Sequence, residues 1–200
     1  RFLWRMENIL YLYALPYDPK RPRICVDERP CQLIDDVLVP LPMEPGKPKR
    51  QDYHYKRNGV CTVFMAFEPL TGRRFVQVRK QRTKQDYAEF MCWVAAQYPN
   101  VEMIDVIQDN LNTHNPGSFY QAFAPQQAFA LAQRFQMHYT PTKASWLNMV
   151  EIEFSVLSKQ CLDRRIADIE TLEREVMAWT DDRNAKRATV NWQFTKTKAR

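Results

Sequence analysis

A mixed α/β domain is what this sequence predicts, and three observations carry the prediction. Apolar runs of strand type alternate with stretches of helical period along the chain. Two of the runs flank Glu68-Pro69-Leu70-Thr71-Gly72, a turn that joins antiparallel neighbours. Two others end at Asp27 and at Asp109, and the intervening helical segments suit crossovers between parallel strands. The expected sheet therefore combines an antiparallel hairpin with parallel strands, flanked by helices.

The elements follow in order. Phe2, Leu3, Met6, Ile9, Leu10 and Tyr13 recur at helical spacing, so residues 1–16 form an amphipathic helix stopped by Pro16. Arg23 to Asp27 reads as a short buried strand and Gln32 to Val39 as an extended segment. Residues 40–58, with Pro40, Pro42, Pro45 and Pro48, read as a long Pro-rich basic loop. Val60 to Phe67 and Arg74 to Val78 are the hairpin strands. Thr83, with Asp86 in the first turn, caps a helix whose face is Tyr87, Phe90, Met91 and Val94 and which Pro99 ends. Met103 to Asp109 is the next strand. Pro125 divides residues 116–135 into two short helices, and Gln136 to Tyr139 is the last strand. Helices over about Trp146–Cys161 and Asp168–Trp179 begin a helical extension that occupies 162–200. The whole of 1–200 is expected to be one domain.

Composition bounds the function. At 200 residues, 45% hydrophobic and 26% charged, the chain can close a core of its own, which excludes disorder as its main state. Four glycines against thirteen prolines leave little for a Gly-rich phosphate loop, which excludes nucleotide-loop enzymes. No apolar run approaches the roughly 18 to 20 residues of a membrane helix, and the opening residues lack a signal-peptide core. The expectation is a soluble, cytoplasmic protein with no membrane partner. Cys25, Cys31, Cys61, Cys92 and Cys161 form no CxxC pair and sit mostly in apolar stretches, as buried reduced thiols do.

A net charge of +6 permits a polyanionic partner. Lys47, Lys49, Arg50, Lys56 and Arg57 crowd the Pro-rich loop, and Arg73, Arg74, Arg79, Lys80, Arg82 and Lys84 make a second cluster; each is a DNA contact or simply a solvated face. Asp27, Asp109 and either Glu151 or Glu153 bring acids to the strand ends, where ligands of open α/β sheets gather. Oxygen-only ligands of this kind suit two Mg²⁺ or Mn²⁺ ions for in-line phosphoryl displacement, with duplex DNA as the substrate that also explains the basic loops. Helical geometry does not choose the third acid, because Glu151 and Glu153 flank the stripe Leu147, Val150, Phe154, Leu157 and Cys161 at similar angles. His54 and His138 have no partner legible in the sequence, and Trp146 is expected in the core.

Ile24-Cys25-Val26-Asp27-Glu28, Val106-Ile107-Gln108-Asp109-Asn110-Leu111-Asn112-Thr113-His114, and His138-Tyr139-Thr140-Pro141 through Ser145-Trp146-Leu147-Asn148-Met149-Val150-Glu151 together resemble the catalytic blocks of DDE-type transposases, in the bacterial insertion-sequence branch of the Tc/mariner superfamily. Phe67 to Gly72 and Leu157 to Arg165 extend the resemblance, which runs from about Tyr17 to Phe194. It implies an RNase H-like fold in which Asp27, Asp109 and Glu151 hold two Mg²⁺ or Mn²⁺ ions, cut DNA at transposon ends and join the freed 3′-hydroxyl to target DNA. Glu151 is chosen because Asn148-Met149-Val150-Glu151 matches the family's Asn-Pro-x-Glu, with Met149 in place of proline. Asn110, His114 and Asn148 would stand near the site, the first two orienting a phosphate or a metal-bound water. A homodimer when active and a place on the bacterial nucleoid are further implications. Whole members carry an N-terminal helix-turn-helix module; no basic recognition helix precedes Asp27, so a catalytic-domain fragment or the second part of a split reading frame is expected. Two rivals stand beside this reading: an inactive remnant that only binds DNA, and an RNase H-like nuclease that only hydrolyses.

Overall fold

The computed structural model describes residues 2–47, 50 and 52–199. Its elements are α1 (Phe2–Ala14), β1 (Arg23–Asp36), β2 (Tyr55–Glu68), β3 (Arg73–Arg79), α2 (Lys84–Ala96), β4 (Ile104–Gln108), α3 (Phe119–Ala122), α4 (Pro125–Ala132), β5 (Phe135–Tyr139), α5 (Val150–Gln160), α6 (Ile169–Ala185) and α7 (Lys196–Ala199). The strands form one sheet in the order β3-β2-β1-β4-β5. The pairs β3·β2 and β2·β1 are antiparallel, whereas β1·β4 and β4·β5 are parallel. This is the mixed, RNase H-like sheet that was expected.

Strand alternation sorts the sheet's side chains into two cores. On one face Cys25, Met65, Phe67 and Ile107 pack against α1, α5 and α6 through Met6, Ile9, Val150, Phe154, Leu172 and Val176. On the other, Ile24, Val26, Phe64, Ala66 and Val106 meet α2, α3 and α4 through Tyr87, Phe90, Val94, Phe119 and Ala128. Asp27 follows Cys25 by two positions and Asp109 follows Ile107 by two, so both acids continue the face covered by α5. Glu28 follows Val26 and continues the opposite face.

Local chemistry explains the element ends. Thr83 and Asp86 form a reciprocal capping box at the start of α2, as expected. Gly72 turns the hairpin at φ +70°, and a Cβ there would lie 2.6 Å from the Arg187 carbonyl carbon, so both the turn and the close passage of the chain after α6 require glycine.

The structure departs from the sequence expectation at five points. The extended segments on either side of Arg29 are one strand, β1, running from Arg23 to Asp36 across Pro30. Pro30 fits because β4 pairs only with Arg23 to Cys25, which leaves β1 from Glu28 onward with a free edge that needs no N–H. The loop predicted over 40–58 is shorter: β2 begins at Tyr55, Leu41 bridges Arg50 and Glu44 bridges Lys47. Arg165 staples the resulting ribbon, donating to Asp36 Oδ1 (2.6 Å), the Asp52 carbonyl (2.6 Å) and the His54 carbonyl (3.0 Å). The helix expected from Trp146 starts at Val150, after a 3-10 turn over Ser145–Leu147, because Asn148 is extended (φ −89°, ψ 107°). Trp146 is 41% exposed beside Trp192 and Phe194 rather than in the core. All five cysteines are free; Cys25 and Cys61 are buried as expected, but Cys92 is exposed. Among the described residues no helix is long and apolar enough to cross a membrane.

Candidate active site

Three elements bring acids to one edge of the sheet: β1 carries Asp27, Asp109 directly follows β4, and the first turn of α5 carries Glu151. The start of α5 is fixed to β1 by Asn148, which is buried and donates from Nδ2 to the carbonyl of Val26 (3.0 Å), beside Asp27. The Glu151 N–H then donates to the Asn148 carbonyl (3.1 Å). A carboxylate there meets the positive end of the helix dipole.

The charges at this edge are poorly balanced. Burial pushes the Asp27 carboxyl up to about 7; the Glu28 N–H (2.9 Å) opposes the shift, and the negative charges of Glu28 and Asp109 add to it. Glu151 is also raised, by burial first, with Arg29 opposing and Asp109 adding. Asp109 is held below the ordinary carboxylate range despite its burial, by His114 (Nδ1 to Oδ1, 2.5 Å) and the Leu111 N–H (3.0 Å). Burial disfavours a charged His114 ring, yet its hydrogen bonds to Asp109 and to Glu28 (Nε2 to Oε2, 2.7 Å) raise it to about 9. The ring is thus an imidazolium at neutral pH and donates to both acids.

Of the predicted residues, the structure thus draws Asp27 and Asp109 together, and Asp109 and Glu151, close enough for each pair to feel the other's charge. Asp27, Glu28 and His114 present ligand atoms within 4.8 Å of one another. With both its nitrogens engaged by carboxylates, His114 has none left for the phosphate or bound water expected of it. Asn110 is exposed and lines a cavity of about 230 Å³ with Phe2, Arg5, Pro141 and Thr142. Glu151 and Glu153 separate cleanly: Glu151 is exposed, whereas Glu153 is buried between Arg74 Nε (2.5 Å) and Arg183 (3.0 Å).

The basic residues are more dispersed than expected. Lys49 lies outside the described residues. Lys47 pairs with Glu44 (3.0 Å), Arg50 is exposed at the base of the loop, and Lys56 and Arg57 project from β2 instead of a loop. In the second cluster Arg74 is buried on Glu153, Arg79 pairs with Glu89 (2.7 Å), and Arg73 lies over the Phe75 and Tyr98 rings. His138 does have a partner: Asp105, at the far end of β4 from Asp109, accepts from its Nε2 (2.7 Å) and from Arg21 (2.7 Å). His54 stands 3.3 Å from Asp52.

Two residues of the site are not among the site residues expected from the sequence. Glu28 stands there only as the neighbour of Asp27, and its role depends on His114, far along the chain. Arg29 lies two positions beyond Asp27 on the same strand face; it donates to the Phe154 carbonyl of α5 (3.2 Å) and its charge lowers Glu151. Strand alternation alone could have placed Arg29 beside the acids.

The donor set is that of a hard divalent cation: oxygen atoms, with more negative charge than the surroundings neutralise. The fold is shared with solved transposase complexes. The chain superimposes on the Mos1 mariner paired end complex with Mn at a TM-score of 0.60 and 13% identity, covering 94% of this chain and 57% of that one. It matches the Mos1 strand transfer complex at 0.59 and 12% identity, over 90% and 53%. For the mariner Mos1 paired end complex with Mg the score is 0.57 and the identity 13%, over 92% and 56%. The chain therefore spans little more than half the length of these proteins. No curated protein sequence matches it. The model of the DDE superfamily endonucleases, by contrast, matches residues 22–173, a stretch that contains Asp27, Asp109 and Glu151, and this chain belongs to that family.

Proposed function

We propose that this chain is the catalytic domain of a DNA transposase, which cleaves at transposon ends and transfers the 3′-hydroxyl strand into target DNA. The observation that carries the reading is the gathering of Asp27, Asp109 and Glu151 at one sheet edge, with Asp27 held near 7 by burial and by neighbouring negative charge. Such a site is short of positive charge. Asp27, Asp109 and Glu151 would hold two Mg²⁺ or Mn²⁺ ions there, which when bound lower the pKa of the attacking water or hydroxyl and neutralise the departing oxygen.

The chain's own residues prepare the site. Asn148 sets the first turn of α5 against β1, so Glu151 approaches Asp109 closely enough for the two charges to interact. His114 anchors Asp109, and the Glu28 N–H anchors one oxygen of Asp27. Arg29 faces Glu151 from β1 and limits the repulsion among the acids. Arg50, Lys56 and Arg57 offer duplex phosphates contacts that carry no sequence information. The active unit is a homodimer acting on two DNA ends.

The test mixes the protein with supercoiled plasmid, a labelled duplex ending in a free 3′-hydroxyl, and Mn²⁺ or Mg²⁺. Nicked plasmid together with labelled plasmid is the expected outcome, and Asp27→Asn should remove both products. Nicks without joining would make the protein a hydrolytic nuclease, and binding without either product would make it an inert remnant.

A further inference from the structure

We propose that Glu28 is a positioning residue, which fixes the carboxylate of Asp109 through the imidazole of His114. The inference rests on the reading of Asp109 as a metal ligand and adds to it a residue on the opposite face of the sheet.

The chain of contacts is continuous and dry. The Glu28 side chain is 2% exposed and accepts from His114 Nε2 at 2.7 Å; the His114 ring is fully buried and its Nδ1 meets Asp109 Oδ1 at 2.5 Å. Tyr87 closes the ring from the side, with centroids 5.0 Å apart, and Phe119 stacks on Tyr87 in turn. The backbone is fixed as well: the His114 N–H donates to the Leu111 carbonyl (2.9 Å), and Gln108 Nε2 donates to the His114 carbonyl (3.1 Å). A buried ring held by two acids and an aromatic neighbour has one orientation. Asp109 inherits it.

The rival role for Glu28 is that of a direct ligand, since its carboxylate stands within 4.8 Å of ligand atoms of Asp27 and His114. Exposure decides between the two. The Asp109 side chain is 41% exposed and reaches the open edge, while Glu28 at 2% is enclosed and has an oxygen committed to His114. Buried partners of ligating carboxylates act by orienting them, and their loss typically weakens metal binding by about 10- to 100-fold.

Titration of Mn²⁺ into the full chain, read by calorimetry with circular dichroism as the check on folding, tests the proposal. Glu28→Ala should weaken Mn²⁺ binding by about 10- to 100-fold. Glu28→Gln, whose amide oxygen still accepts from Nε2–H, should stay within about threefold of the parent. His114→Ala should match Glu28→Ala, and the double variant should be no worse than either single one, because the two residues act in series. A direct ligand would instead make Glu28→Gln as damaging as Glu28→Ala, which overturns the proposal. Loss of binding in Asp109→Asn beside unchanged binding in Glu28→Ala overturns it too and leaves Asp109 a ligand. Retained binding in Asp109→Asn overturns the underlying reading and the proposal with it.

Discussion

Two glutamates stand two positions apart on α5, and their surroundings are opposite. Glu153 is buried and neutralised by Arg74 and Arg183, while Arg74 also donates to the Gly72 carbonyl (2.7 Å) and the Ala188 carbonyl (2.5 Å). That cluster ties β3, α5 and the chain after α6 into one unit. The Glu151 residue is exposed, but its carboxyl sits against the sheet edge, where partial loss of water raises it first and Asp109 raises it further, with Arg29 opposing only in part. On the proposed function, the helix presents one acid to the fold and another to chemistry. Charge balance tells them apart: the structural acid, Glu153, has its countercharges built in, and the proposed chemical acid, Glu151, is left short of them.

Removing the chemical acid should have the largest effect. Glu151→Gln, like Asp109→Asn, should lower nicking and joining by about a thousandfold or more, ~4 kcal/mol in the barrier, while the circular dichroism spectrum stays that of the parent. Removing the structural acid should act on stability instead. Glu153→Gln leaves the buried Arg74, and the half-buried Arg183 beside it, without their anion, which costs about 3–5 kcal/mol, to be read from denaturant unfolding. Activity per folded molecule should remain within about tenfold of the parent, ~1.4 kcal/mol. Loss of activity without loss of stability in Glu153→Gln would erase the distinction.

A smaller effect follows from Asp27. Its carboxyl titrates near 7 in the folded chain against an ordinary 3.8, so the folded state holds that proton more tightly than the unfolded one. Stability from this group is therefore lost as pH rises from about 4 to 7. Asp27→Asn should raise the metal-free Tm at pH 8, by roughly 2–4 °C for each kcal/mol of repulsion relieved, and leave it nearly unchanged at pH 4. Melting curves at the two pH values check the sign. The smallest effect concerns the ribbon. Replacing Arg50, Lys56 and Arg57 by Gln should flatten the dependence of log duplex affinity on log salt by about 0.9 for each phosphate that is no longer neutralised, whereas Lys47→Gln should change it least because Lys47 already pairs with Glu44.

What the sequence disclosed about this fold was what repeats locally. The apolar runs of β2 to β5, the Thr83 cap and the division of the 116–135 segment at Pro125 are short-range patterns, and the structure reproduces them. The β1–β2 ribbon was hidden because residues 28–36 are mostly polar and half-buried with Pro30 among them, which looks like an interruption until the free edge of the strand is seen. At the site, periodicity left Glu151 and Glu153 equivalent. Arg74 and Arg183 distinguish them, and they lie 79 and 30 positions from Glu153. The same distance concealed His138 and Asp105, 33 positions apart, and the pairing of Glu28 with His114, 86 apart. Partners so remote leave no spacing to read.

The distinction between the two glutamates is tested most directly by calorimetric titration of Mn²⁺ into the parent, Glu151→Gln and Glu153→Gln, each at a temperature where circular dichroism shows it folded. Glu151→Gln should lose at least one binding event, and Glu153→Gln should bind Mn²⁺ with the parent's stoichiometry and within about threefold of its affinity, because its defect is in packing rather than ligation. Unchanged Mn²⁺ binding by Glu151→Gln, or loss of binding by folded Glu153→Gln, would contradict the distinction.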